Sequence, residues 1–135
     1  MFGKQNLALL LIRLTFGFRL VYGTFDNIIS WDRMLEFKAF LESNNFPFPI
    51  VCAILSVYLQ FFAGVSWILG YKMKLFSLLM IGNFMIATYI HFVAGDPYLS
   101  MTPALHLLAI SILFYVINPG KISISEYLKS KQWKH

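Results

Sequence analysis

The sequence predicts an all-α membrane protein, an antiparallel bundle of four transmembrane helices, and three observations lead there. First, 59% of the 135 residues are hydrophobic and 13% are charged, whereas a soluble domain carries about 25% charge. That is too little charge to coat a water-facing surface. It excludes disordered and collagenous chains and basic nucleic-acid-binding tails, and the length excludes a two-domain soluble enzyme. Second, four segments, at about 6–25, 48–70, 74–92 and 101–118, approach the roughly 20 apolar residues that a helix needs to cross a bilayer. Third, nearly all the charges fall between these segments and alternate in sign from one side to the other.

The first span, NLALLLIRLTFGFRLVYGTF, is interrupted by Arg13 and Arg19 and is followed by no Ala-x-Ala-like site. It therefore reads as a retained span, not a cleaved leader. The loop at 26–47 contains SWDRMLEFKAFLES, in which Trp31, Met34, Leu35, Phe37 and Leu41 recur close to helical period. This predicts a short amphipathic helix that lies on the outer surface or caps the bundle mouth. Asn44 and Asn45 end it, and Pro47 and Pro49 lead into the second span. The turn at 70–74 is too short for anything but a hairpin, so spans two and three are neighbours. Gly17 and Gly23 on span one, and Ala63, Gly64, Ser66 and Gly70 on span two, permit close backbone approach.

After span four comes the turn Asn118-Pro119-Gly120, and Ser123 to Glu126 fits a capping box. Ile124, Tyr127 and Leu128 then form an apolar patch beside Lys129, Lys131 and Lys134. The tail, 119–135, is expected to be a basic interfacial helix held against an anionic inner leaflet. Residues 1–135 are thus expected to form one integral-membrane domain. Seven Lys/Arg lie at the N-terminal end, the second loop and the tail, against two in the first and third loops. The positive-inside rule then puts both termini in the cytoplasm.

Function should show in the polar groups placed within the bilayer. A central arginine costs about 2.5–3.5 kcal/mol on insertion scales. Counting about 1.5 Å per residue, Arg13 lies near 10 Å depth and Arg19 near 20 Å, about 120° apart around the helix. Depth alone suggests an inner cluster of Arg13, Gln60 and Asn83, and an outer one of Arg19, Asp26, His91, His106 and Tyr89. Arg13, Arg19, Gln60, Asn83, His91 and His106 are accordingly the candidate ligand-binding residues, as hydrogen-bond donors to a ligand carbonyl or a lipid headgroup. The lone Cys52 excludes a Cys-x-x-Cys pair and is expected to pack as a small hydrophobe. Three histidines without an intramembrane acid make no convincing metal site, and no phosphate loop, nucleophile elbow or other catalytic set stands out.

LLIRLTFGFRLVYGTFDN resembles the first span of DoxX-like membrane proteins, with its arginine at Arg13 and glycines at Gly17 and Gly23. FLESNNFPFPIVCAILSVYLQFFAGVSWILGYKMK resembles the family's next part, and NPGKISISEYL is similar to its close. The resemblance implies a four-helix protein of a bacterial inner membrane, in a family some of whose members accompany thiosulfate:quinone or quinol oxidoreductase complexes. It also marks two departures. Gln60 stands where the family often has a glutamate, and Asn27 where it often has a lysine. Glutamine forms hydrogen bonds but does not titrate, so no proton-linked carboxylate is expected at position 60.

Three functions compete. The chain is a membrane subunit of an oxidoreductase assembly that binds quinone among its helices, with the 14 phenylalanines supplying apolar walls. Alternatively it is a non-catalytic structural protein whose polar groups set helix register and which binds a redox partner or a second copy. A third reading is a small anion carrier that uses the buried arginines. The lipid bilayer is the expected surrounding in each, with no nucleic acid and no metal.

Overall fold

The computed structural model describes residues 3–133 and is all-helical, with six helices in chain order: α1 (Lys4–Ile29), α2 (Trp31–Ser43), α3 (Pro49–Leu69), α4 (Met73–Val93), α5 (Tyr98–Val116) and α6 (Ile124–Trp133). Lys134 lies outside the described residues. Four of the helices, α1, α3, α4 and α5, are long and apolar enough to cross a membrane. Helix α1 runs beyond its apolar segment at both ends and α4 by one residue at each, whereas α3 stops one residue short at each end, and α5 both begins earlier, at Tyr98, and ends earlier, at Val116, ahead of the Asn118-Pro119-Gly120 turn. At 26 residues α1 is the longest.

Helix α1 packs on α3, α3 on α4 and α4 on α5, while α2 lies against α1 and α3. Leu107 of α5 belongs to the main core with Trp67, Met80, Phe84 and Phe114, and the partly buried Phe16 of α1 packs against that core. The indole of Trp67 stands edge-on to Phe114, with ring centroids 4.9 Å apart, and donates from Nε1 to Ser77 Oγ at 2.9 Å. A second core joins Met34 and Leu41 of α2 to Ala53, Val57 and Ile90. The amphipathic helix of the first loop is therefore present. Met34 and Leu41 face inward, while Trp31 and Leu35 face out.

The burial pattern is that of a membrane protein. Leu11, Phe18, Leu55, Phe62 and Met85 point outward, whereas Arg13, Thr24, Ser66, Ser77 and Ser111 are buried. Each of these polar side chains is hydrogen-bonded within the protein. That is what a solvent of lipid tails demands, since a bare polar group costs several kcal/mol there. Small residues sit at the closest helix crossing. A Cβ on Gly17 would lie 2.7 Å from the Gly64 carbonyl oxygen, and one on Gly64 would lie 2.6 Å from that of Gly17. Both glycines are therefore required for α1 and α3 to touch. Gly23 serves differently, because a Cβ there would collide with Nη1 of Arg19.

The α3–α4 hairpin turns on Gly70, whose φ of 68° is left-handed and favours glycine. The tail folds back over this turn: Ser125 N–H donates to Gly70 O at 3.2 Å, and Lys121 N–H donates to Asn6 Oδ1 at 3.0 Å. Ser123 Oγ accepts from Glu126 N–H at 3.2 Å and so supplies one half of the capping box. The Glu126 carboxylate instead lies 3.8 Å from Lys129 Nζ.

Candidate functional site

The six candidate residues fall into three places, not two. Arg13 stands alone at the basic end of the bundle. It is 1% exposed, and its guanidinium donates to four carbonyl oxygens: Trp67 at 2.9 Å, Ile68 at 3.1 Å, Pro119 at 2.9 Å and Ile122 at 2.7 Å. The first two belong to the last turn of α3, whose carbonyls lack helical donors, and the other two to the strand of chain leading into α6. Arg13 thus ties α1, the α3 terminus and the tail into one knot. Its fork, with five N–H donors, suits this role. Arg13 reaches neither Gln60 nor Asn83, and it lines neither cavity described below.

Gln60, Asn83 and His91 share a cavity of about 360 Å³ between α3 and α4, roofed by α2 and the chain that follows it. Phe37, Phe40, Leu41 and Phe46 form the roof, and Leu55, Leu59, Leu79, Ile86 and Ala87 form walls. Half-way along, a polar chain crosses the wall: Gln60 Nε2 donates to Ser56 Oγ at 2.9 Å, and Ser56 Oγ donates to Asn83 Oδ1 at 2.6 Å. Since Asn83 Oδ1 is the acceptor, the Asn83 amide N–H groups are left as donors for whatever enters. His91 stands at the rim, two turns further along α4. Its Nδ1 lies 2.7 Å from Asp96 Oδ2, and its ring is 5.7 Å from that of Phe40. The lone Cys52 also lines this cavity, with Sγ 3.3 Å from Pro47 O.

Arg19 and His106 face one another across a second cleft of about 330 Å³ between α1 and α5, lined also by Thr15, Phe16, Thr102, Pro103 and Leu107. Both side chains are exposed from the bundle. Among the described residues Arg19 forms no ion pair, and neither does Asp26, although the two lie on nearly the same face of α1. Pro103 interrupts the ladder of α5, and the Leu99 carbonyl that it leaves without a helical donor accepts from Thr102 Oγ1 at 2.7 Å. Tyr89 is exposed and lines neither cavity.

Ser56, Cys52 and the aromatic roof were not among the sequence candidates. Ser56 was detectable, because it precedes Gln60 by one helical turn and so shares its face. The roof depended on how α2 folds over α3, which periodicity does not specify. Among the described residues no three His, Cys, Asp or Glu side chains gather as a metal-binding group.

Comparison with curated proteins and with solved structures gives no match. The family model described as DoxX matches residues 8–93, which runs from the first turns of α1 to the end of α4. The matched stretch holds Arg13 and its acceptors on α3, the Gly17–Gly64 crossing and the whole Gln60–Ser56–Asn83 chain, while α5 and the tail lie beyond it. With most of its length matched, this multi-pass membrane protein belongs to the DoxX family.

Proposed function

We propose that this DoxX-family protein is a membrane subunit of a quinone-linked oxidoreductase assembly, and that the cavity beneath α2 takes the ring of a small apolar carbonyl ligand. The observation that carries this reading is the Asn83 amide. It is held in one orientation by Ser56, with N–H donors left over in a cavity walled mostly by leucine, isoleucine and phenylalanine. A quinone needs a donor for a carbonyl oxygen and apolar surface for its ring. The volume of about 360 Å³ lies within the roughly 300–1,000 Å³ usual for small-molecule sites. Gln60 orients the polar chain, and His91 stands about 12 Å further along α4, too far to share a single quinone ring with Asn83. Electron transfer is assigned to a partner protein.

Cys52 supplies the test, as the chain's single cysteine and a cavity-lining residue. Alkylation of the purified protein in mild detergent is followed with and without a short-chain quinone. Protection that disappears in Asn83→Leu supports the reading. Equal alkylation rates with and without quinone overturn it. A protein that co-purifies with no small molecule points instead to a purely partner-binding role. The same reading places the basic end, with both termini, in the cytoplasm of a bacterial cell. A C-terminal reporter active only outside the cytoplasm refutes that orientation.

A further inference from the structure

We infer that the α1–α5 cleft is a binding site for one anionic phospholipid, whose phosphodiester meets Arg19 and His106. Arg19 lies about 15 Å below the Ile29 end of α1, and His106 about 12 Å below the Tyr98 end of α5, so the two stand at one level. The guanidinium is drawn toward that end, over Gly23, where the missing Cβ makes room for it. An arginine on a membrane helix needs an acceptor or access to the headgroups. No acidic side chain lines the cleft, and Arg19 has no ion pair within the described residues.

The hydroxyls do not compensate the charge: Thr15 donates to Leu11 O at 2.8 Å and Thr102 to Leu99 O at 2.7 Å, neither accepts from Arg19 among the described residues, and a neutral hydroxyl leaves the guanidinium without a counter-charge. What the cleft offers is therefore a fork of guanidinium donors and an imidazole, open to the lipid. A phosphodiester matches that fork in geometry and charge. A net-negative lipid is favoured over a zwitterionic one, whose ammonium group the guanidinium repels. Below the cleft, Ile12 and Leu113 are exposed and share its face by helical spacing, which gives the acyl chains an apolar track. This occupant lies across the bundle from the cavity beneath α2 and is independent of any ligand there.

The test measures lipid retained by the purified full chain in native mass spectrometry, after delipidation and incubation with equal phosphatidylglycerol and phosphatidylcholine. Lys129→Gln and Lys131→Gln are present throughout, which removes the contribution of α6. The expected result is a preference of about tenfold for the anionic lipid, the scale of one screened interaction between unit charges. It falls to parity in Arg19→Gln. His106→Phe, which plugs the cleft and leaves Arg19 in place, gives the same loss. An unchanged preference in either folded variant overturns the site. Thermal stabilisation by inorganic phosphate equal to that by the lipid overturns the lipid as its occupant.

Discussion

Arg13→Ala should destabilise the protein by about 3–5 kcal/mol and release the tail. The wild-type guanidinium serves four carbonyls at 2.7 to 3.1 Å from two distant parts of the chain. A hydrogen bond to a charged group is worth about 1.5–3 kcal/mol net. Four such bonds do not simply add, because the buried charge itself costs several kcal/mol to desolvate. The carbonyls of Pro119 and Ile122 also lie in a part-buried segment where water can replace the arginine. The net loss therefore falls well below four full bonds, near the upper range for breaking a buried charged network. Arg13→Lys keeps the charge but has three donors for four acceptors, so about half of the loss is expected. Two readouts separate the effects: denaturant unfolding in micelles reports stability, and limited trypsin digestion at Lys121, Lys129 and Lys131 reports the tail. Trypsin should cut the Arg13→Ala tail under conditions in which α4 stays intact. If Arg13→Met unfolds like wild type and keeps its tail protected, the carbonyl knot is not what holds this end of the bundle together.

Gly17→Ala and Gly64→Ala should each cost about 1–3 kcal/mol by overpacking the α1–α3 crossing, read as a lowered melting temperature in detergent. Gly82→Ala has nothing within 4 Å of the new Cβ and should be neutral or stabilising by about 0.5–1 kcal/mol. Because Gly82 lines the cavity beneath α2, Gly82→Leu should fill it, so Cys52 protection by quinone should vanish while the fold persists by circular dichroism. Trp67→Phe removes the donor to the buried Ser77 and should cost about 1–3 kcal/mol, with Ser77→Ala on top of it adding little.

The helices, their lengths and the amphipathic α2 were legible because each depends on local composition and period. Hydropathy over about 20 residues reports a span wherever its neighbours lie. The site was legible only in part, and Arg13 shows why. Counting residues places Arg13 and Gln60 at one depth, and the helix limits agree: Arg13 is nine residues from the start of α1, and Gln60 nine from the end of α3. Depth is one coordinate, and rotation about the helix axis is the other. Helix α1 meets the face of α3 that carries Gly64 and Ile68, whereas Gln60 turns toward Asn83 on α4. His91 similarly found Asp96, five residues away, instead of His106.

The sequence by itself determined that this chain has four spans for a membrane, bears most of its basic groups at one end, and has two arginines to accommodate. Tertiary structure alone decided their fates. Arg13 is consumed by carbonyls 54 to 109 residues away, and Arg19 is left facing lipid. The physical reason is that apolar burial in a bilayer is indifferent to helix rotation. Small-residue contacts and hydrogen bonds set that rotation, and both require the partner helix to be in place.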